Sequence, residues 1–114
     1  MLLDEFIDQT TYSSYEELKN KFVIHIPDDF NFAYDVVDRY ADTDKDKEAL
    51  VWIDDSEEKI FTFHYLKIAS NKTANYLRML GIKKGDAVML ILRRRYEFWF
   101  FLLALHRIGA IAVP

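Results

Sequence analysis

The chain has 114 residues, a net charge of −4 and no cysteine. This length suits one domain with a modest core. Hydrophobic residues make up 51% and charged residues 30%, which is typical of a globular protein rather than a disordered one. The missing cysteines exclude disulfides and thiolate chemistry. The negative charge argues against a general nucleic-acid binder, because such domains are usually basic.

Residues 1–29 are predicted to form an N-terminal arm with one short helix. Ser13-Ser14 precedes Glu16-Glu17 at the spacing of a capping box, which predicts a helix from about Tyr15 to Lys21. The first residues are acidic where a signal or transit peptide needs basic ones. The longest uncharged apolar run, Phe98 to Leu105, is far shorter than the ~20 residues that span a bilayer. We therefore expect a soluble, cytoplasmic protein with no membrane partner.

A second helix is predicted to begin after Asn31, which can cap it. Its apolar positions at helical spacing are Ala33, Val36, Val37 and Tyr40. The helical pattern ends in the polar stretch Ala41–Glu48. Carboxylates alternate there as in a calcium loop, but the required sixth glycine is Lys47 and the required twelfth glutamate is Ile53. The sequence therefore predicts a solvated turn and no metal site.

A β-hairpin and a third helix are predicted next. Ala49–Ile53 and Lys59–Phe63 are rich in β-branched and aromatic residues, and the turn-forming loop Asp54–Glu58 separates them. Thr62 or Phe63 leads into the helix, whose predicted buried positions are Leu66, Ala69, Thr73, Leu77 and Leu80. Gly81 is expected to end this helix in a left-handed turn, with Ile82 folding back on Leu77.

The last third of the chain is predicted to form a strand–helix–strand unit. The uninterrupted apolar run Ala87–Leu92 is expected to be a strand that is covered on both faces. Arg93–Arg95 form the crossing loop, and Tyr96–Ile108 form a helix that is apolar on nearly every side. After Gly109, Ala110–Val113 begin a second strand, parallel to the first. The fold class is therefore α/β, with N-terminal helices, a β-hairpin and one βαβ unit of a parallel sheet.

The candidate site residues are Arg93, Arg94 and Arg95. They follow a parallel strand, and ligands of open α/β sheets bind at the carboxyl ends of strands. Three cations also lie at the positive end of a helix dipole, where anions are favoured. The functional interpretation is an electropositive rim for an anion; the alternative is a solvated loop whose charge Glu97 partly offsets.

No other residues suggest chemistry. His25, His64 and His106 are scattered, and none has a second ligand at metal spacing. Rings at successive helix positions point in different directions, so Phe98–Phe101 cannot form one base-stacking surface. Core packing is the better interpretation, and we expect no nucleic-acid partner, no metal site and no catalytic residue in this chain.

The motifs of the C-terminal third carry a family resemblance. The stretch Leu80–Asp86, Glu97 at a helix start and the run Arg107–Pro114 resemble the N-terminal part of the AMP-forming acyl-CoA synthetases, in the adenylate-forming superfamily. Asn31–Asp38 is more similar to the acetyl-CoA and medium-chain acyl-CoA synthetase branch than to other branches. The resemblance implies that residues 30–114 are the start of the adenylation N-terminal domain, truncated at its C-terminal end.

The resemblance also implies a function in fatty acid metabolism. The parent enzyme would activate a carboxylic acid with ATP and Mg to an acyl-adenylate and transfer the acyl group to coenzyme A. The family's phosphate loop, acyl pocket and catalytic lysine have no counterpart in this chain, so we expect the fragment alone to be inactive and to bind no cofactor. Arg93–Arg95 would be candidates for a rim that faces the coenzyme A phosphates or a carboxylate on another domain. The rest of the parent would cover the helix 96–108; the alternative is a stand-alone interaction module that dimerises through that helix.

Overall fold

The computed structural model describes residues 2–114, and the chain divides into two structural units, with the boundary in the sequence after Phe30. In the first unit, a 3-10 turn spans Leu2–Glu5 and helix α1 spans Tyr15–Lys21. An antiparallel bridge joins Ile7 and Ile24.

Helix α1 has the predicted bounds and the predicted type of N-terminal cap. The Ser14 hydroxyl accepts a hydrogen bond from the backbone N–H of Glu17 at 3.1 Å. The Glu17 carboxylate in turn accepts the backbone N–H of Ser13 at 2.8 Å. Both bonds satisfy donors at a helix start that have no partner inside the helix.

The second unit begins with a helix in two parts. A π-helical segment, Ala33–Asp38, continues directly into α2, Arg39–Thr43. The Asn31 side chain caps it by accepting the backbone N–H of Ala33 at 3.0 Å, as predicted. The predicted end at Ala41 is wrong: this residue is fully buried, and its burial keeps the chain helical to Thr43.

The hairpin consists of β1, Glu48–Ile53, and β2, Glu58–Thr62, paired antiparallel. The loop has one residue fewer than predicted, because Glu58 already pairs with Ile53. Inside the loop, the Asp54 carboxylate accepts the backbone N–H groups of Ser56 and Glu57 at 2.8 and 2.9 Å.

Helix α3 spans Phe63–Met79, so Phe63 belongs to the helix and not to the strand. Thr62 caps this helix, with its hydroxyl accepting the backbone N–H of Tyr65 at 3.1 Å. The helix ends as predicted: Gly81 has a φ of +90°, and the N–H of Ile82 donates to the carbonyl of Leu77 at 3.1 Å. This is the arrangement that satisfies the last carbonyls of a helix.

The buried face of α3 differs in part from the prediction. Its fully buried residues are Leu66, Ser70, Ala74 and Leu77. Ala69 and Thr73 are only half-buried, and Leu80 is 58% exposed because the chain already turns away toward Gly81. Ser70 makes the centre of this face polar, and its hydroxyl accepts a hydrogen bond from a buried arginine of the last helix.

The strand–helix–strand unit is confirmed. Strand β3, Ala87–Met89, and strand β4, Ile111–Val113, pair in parallel, with Val88 opposite Ala112. Helix α4, Glu97–Ile108, connects them and ends at Gly109, which has a φ of +70°.

The prediction that the first of these strands is six residues long and covered on both faces is wrong. Only three residues pair, and their side chains alternate between two environments. Leu90 is buried and Val88 packs beside it, whereas Met89 is 67% exposed and Ile91 is 79% exposed. A continuous apolar run in the sequence does not show whether other elements pack against the second face of the strand.

Helix α4 lies between two apolar clusters. Leu105 and Ala104 belong to the cluster that includes Leu90 of the sheet region. Leu103 belongs to the other cluster, with Val37 and Phe61. The chain therefore covers much of this helix itself, although Trp99 remains 45% exposed. Among residues 2–114, no helix is long and apolar enough to cross a membrane.

Candidate functional site

The three predicted site residues, Arg93–Arg95, lie in the loop between β3 and α4, and all three are exposed. The loop follows the carboxyl end of β3 and precedes the first turn of α4, as the sequence predicted. Its position relative to the parallel pair is therefore the one at which open α/β sheets bind ligands.

The backbone of the loop is held by the hairpin. The indole N–H of Trp52, on β1, donates to the carbonyl of Arg94 at 2.7 Å. Arg94 has a φ of +49°, in the left-handed region, which costs a residue other than glycine about 1–2 kcal/mol. The hydrogen bond from Trp52 stabilises this conformation and holds the backbone of the loop from which the arginine side chains project.

Arg95 is matched by a carboxylate. Its Nη2 and Nε donate to the two carboxylate oxygens of Glu97 at 2.9 and 3.2 Å. The guanidinium also lies 5.5 Å from the ring centre of Tyr96 and 6.0 Å from that of Trp52, within the range of cation–π contacts. The predicted offset of loop charge by Glu97 is therefore present.

These contacts shift the titration of both partners. The hydrogen bond from Arg95 lowers the pKa of the Glu97 carboxyl, and the bond to Glu97 raises the pKa of Arg95. On the same side, a bond to Glu57 raises the pKa of Lys59, whose ammonium lies 4.8 Å from the Tyr96 ring centre. These shifts favour the charged forms of Arg95, Lys59 and Glu97.

A shallow depression of about 450 Å³ lies beside this loop. Its walls come from β1, the loop and the start of α4: Val51, Trp52, Ile53, Leu92, Arg94, Arg95, Phe98 and Trp99. Aromatic faces next to guanidinium groups suit a ligand with a flat ring and an anionic group. The structure therefore brings two of the predicted arginines, Arg94 and Arg95, to one depression and leaves Arg93 outside it.

The arginine loop offers the chemistry of anion binding. In the described part of the chain, from Leu2 onward, no group of three or more His, Asp or Glu side chains could hold a metal ion. The arginines can bind and orient an anion, but they cannot act as a base at neutral pH.

The histidines lie apart from one another and from this loop. His25 is exposed and its Nε2 lies 3.1 Å from the Asp8 carboxylate. His64 is exposed on α3. Nδ1 of His106 is buried without a hydrogen-bond partner among residues 2–114, and burial lowers its pKa. The neutral form is thereby favoured.

The sequence reasoning missed the polar centre of the second unit. Arg107 has a side chain that is only 2% exposed, and its Nη1 and Nη2 donate to Asp38 at 2.8 and 2.6 Å. Its Nε donates to the Ser70 hydroxyl at 2.9 Å, and its guanidinium lies 5.1 Å from the Tyr34 ring centre. The sequence feature that could have indicated this buried arginine is its position between Leu105 and Ile108 on a largely apolar helix.

The family assignment rests on most of the second unit. The sequence pattern of the AMP-binding enzyme family matches residues 37–114. The chain belongs to the AMP-binding enzyme family. This match includes the hairpin, α3 and the whole strand–helix–strand unit, so the arginine loop is part of the family's fold.

Individual members of the AMP-binding family show which branch is similar. The chain is 36% identical over 110 residues to the mouse mitochondrial acyl-coenzyme A synthetase ACSM3, covering 90% of this chain and 19% of that protein. It is 40% identical over 86 residues to the acetyl-coenzyme A synthetase of Bacillus subtilis, covering 74% of this chain and 15% of the relative. The chain thus spans about a fifth or less of the length of these curated relatives, and the predicted resemblance to acyl-CoA and acetyl-CoA synthetases is confirmed.

Solved structures of the AMP-binding family agree. A fatty acyl-adenylate ligase from L. pneumophila, crystallised with acyl adenylate and pyrophosphate, superposes with a TM-score of 0.68 at 27% identity. The similarity covers 72% of this chain and 14% of the ligase. The predicted fold class, an incomplete part of an adenylate-forming domain, is confirmed.

Proposed function

We propose that this chain is the N-terminal scaffold portion of an ATP-dependent acyl-CoA ligase. Such a ligase joins a carboxylic acid to coenzyme A through an acyl-adenylate, releasing AMP and diphosphate. The observation that carries the proposal is the identity of 36–40% to relatives named acyl- and acetyl-coenzyme A synthetase, of which this chain spans only 15–19%.

The uncovered sheet face supports a scaffold role. Parallel sheets are normally covered on both faces, yet Met89, Ile91 and Ile111 are each more than half exposed. Two parallel strands do not make a stable sheet by themselves. In the proposed parent enzyme, further strands and helices would complete this sheet, and the Arg93–Arg95 loop would lie at its carboxyl edge.

ATP, Mg and coenzyme A would be cofactors of the parent and not of this chain. Adenylate-forming enzymes cradle the ATP phosphates in a glycine- and hydroxyl-rich loop, because small residues let the backbone approach closely. The chain has glycine at positions 81, 85 and 109 only, and each adopts a positive φ in a tight turn. The chain alone therefore supplies support for a site and, through Arg94 and Arg95, one anion-attracting edge.

The alternative, an independent module that dimerises through the helix 96–108, stays a prediction. Leu103, Ala104 and Leu105 of this helix are covered by other residues of the same chain, so a partner would have to contact other side chains of the helix, such as the 45% exposed Trp99. A concentration-dependent dimer whose interface includes Trp99 would favour this alternative.

A chimera tests the scaffold role directly. The segment of Bacillus subtilis acetyl-coenzyme A synthetase that aligns with this chain would be replaced by the corresponding residues of this chain. We expect the chimera to form acetyl-CoA from acetate, ATP and coenzyme A, and the purified 114-residue chain to form neither acyl-adenylate nor acyl-CoA. A correctly folded but inactive chimera, or ligase activity of the chain alone, would contradict the proposal.

Two variants of the chimera serve as controls. Leu105→Asp places a charge at a fully buried position and should abolish folding and activity together. Lys72→Gln changes an exposed side chain on α3 and should leave both unchanged. Loss of activity in the second variant would show that the assay reports surface charge rather than the scaffold.

A further inference from the structure

A second depression, of about 420 Å³, lies between α3, α4 and the loop that follows Gly81. Three cations line it: Arg78 in the last turn of α3, and Lys83 and Lys84 in the loop. None of the three has a carboxylate or hydrogen-bond partner for its side chain in the described chain, residues 2–114. We call this depression the basic cleft.

The charge of the basic cleft opposes that of the whole chain. No Asp or Glu of residues 2–114 lines it, and its fourth cation, Arg107, is neutralised by Asp38. Between residues 59 and 85 the sequence has six Lys or Arg and no Asp or Glu, in a chain with a net charge of −4. Three unmatched positive charges therefore converge on one concave surface.

The loop that carries the lysines is fixed by backbone hydrogen bonds. The N–H of Lys83 donates to the Asp86 carboxylate at 2.7 Å, and the N–H of Gly85 donates to the carbonyl of Gly109 at 2.9 Å. A Cβ added to Gly109 would lie 3.0 Å from Cγ of Lys84, so the lysine stem rests on the bare glycine. Such a preorganised loop loses little entropy when a ligand binds.

Neutral donors accompany the cations. Asn71 and Asn75 on α3 line the basic cleft, and in the described part of the chain their side-chain amides have no hydrogen-bond partner. The Tyr34 hydroxyl also lies at this cleft and donates to the carbonyl of Arg107 at 3.3 Å. Ammonium, guanidinium and amide N–H groups together can donate to several oxygens of one phosphate.

We propose that the basic cleft binds a phosphorylated small molecule that carries at least two negative charges. A volume of about 420 Å³ is in the range of small-molecule sites, and a convergent set of donors fits a compact anion better than an extended acidic peptide. The apolar side chains of Ala74, Ile82 and Ile108 also line the cleft and leave room for a non-polar part of the ligand. This site goes beyond the proposed ligase role and does not depend on it.

The first test is an NMR titration of the ¹⁵N-labelled 114-residue chain with inorganic pyrophosphate and, separately, with AMP. We expect saturable shifts of the backbone amides of Lys83 and Lys84 and of the side-chain amides of Asn71 and Asn75. Affinity should fall but remain measurable between 50 and 200 mM salt, because the cleft is partly enclosed. No saturable shift with either probe, or shifts confined to the Arg93–Arg95 loop, would overturn the proposal.

Variants that each remove one positive charge distinguish specific binding in the basic cleft from general electrostatic attraction of the anion to the protein. Lys83→Gln and Arg78→Gln remove one charge each from the basic cleft, and each should weaken pyrophosphate binding roughly tenfold. Lys72→Gln removes one charge from the exposed face of the same helix and should change binding less than about twofold. Equal weakening in all three variants would overturn the proposal. All three positions are exposed, so far-UV circular dichroism should show unchanged folding.

Discussion

Replacing Asp38 with asparagine should destabilise the chain more than any change to its surface ion pairs. The variant removes the negative charge that faces Arg107 but keeps the shape of the side chain. Asparagine can accept one hydrogen bond from the guanidinium in place of the two that Asp38 accepts at 2.8 and 2.6 Å. An arginine with a side chain only 2% exposed is then left with an uncompensated charge.

The expected loss follows from this burial. Removing one partner of a buried ion pair costs about 3–5 kcal/mol, because the remaining charge stays out of water. Asp38 is itself 16% exposed and the bond from Arg107 to Ser70 persists, so we expect the lower end, about 3 kcal/mol. This is a large fraction of the roughly 5–15 kcal/mol by which most domains are stable.

Urea unfolding measures the change. Tryptophan fluorescence and far-UV circular dichroism should give coincident transitions if the unit unfolds in two states. At the usual denaturant dependence, a loss of about 3 kcal/mol lowers the midpoint by about 1–3 M urea. The matched control is Asp42→Asn, which likewise removes a charge and one of two hydrogen bonds, here the bonds from Lys67 at 2.7 and 2.8 Å. This carboxylate is 66% exposed, so the change should cost less than about 1 kcal/mol.

Similar midpoints for Asp38→Asn and Asp42→Asn would refute the reasoning, since burial would then not determine the cost. A double variant, Asp38→Leu with Arg107→Met, gives a further check. Apolar residues in place of both charges leave no buried ion, so this variant should be more stable than Asp38→Asn.

Three further predictions concern packing, a turn and pH. Leu105→Ala should cost about 2–5 kcal/mol in urea unfolding, because the side chain is fully buried. Gly109→Ala should cost about 1–2 kcal/mol, because its φ is +70°. Hydrogen bonds from Lys21 and then Ser13 lower the pKa of Glu17 from 4.5 to about 2, so the stability that this carboxylate gives α1 is present above pH 4.5 and lost as pH falls from there toward 2. Carboxyl NMR titration should show this pKa.

Each of these predictions has its own control. Ile91→Ala on the uncovered sheet face should stay within about 0.5 kcal/mol of the original chain, because the side chain is 79% exposed. Gly109→Asn should cost less than the alanine variant, since asparagine tolerates the left-handed region better. A Glu17 titration near pH 4.5 would show that the capping bonds do not form in solution, and Glu17→Gln should remove the pH dependence of α1.

Local signals in the sequence correctly placed most of the elements. Ser14 and Glu17 mark the start of α1, Thr62 caps α3, and Gly81 and Gly109 adopt the positive φ that their positions after helices predicted. These features depend on a few neighbouring residues and their backbone bonds, so a single sequence is enough to find them.

The polar interior could not be predicted in this way. Ser70 and Arg107 are 37 positions apart, and Asp38 is 69 positions from Arg107. Nothing in the local pattern indicates that these three side chains meet, so the predicted buried face of α3 omits Ser70 and the sequence predicts no buried role for Arg107. The basic cleft was missed for a related reason: Arg78, Lys83 and Lys84 are close along the chain, but the distant residues Tyr34, Arg107 and Ile108 complete its lining only in the folded chain.

The sequence by itself determined the order of the elements, the caps and turns between them, and the resemblance to the acyl-CoA synthetases. These follow from short-range bonding and from patterns along the chain. Only the tertiary structure decided which apolar side chains are covered, since burial depends on what packs against each face. Val88 and Met89 are neighbours of similar hydrophobicity, yet only Val88 packs against the core, because α4 covers one face of the strand and no described residue covers Met89 to the same extent.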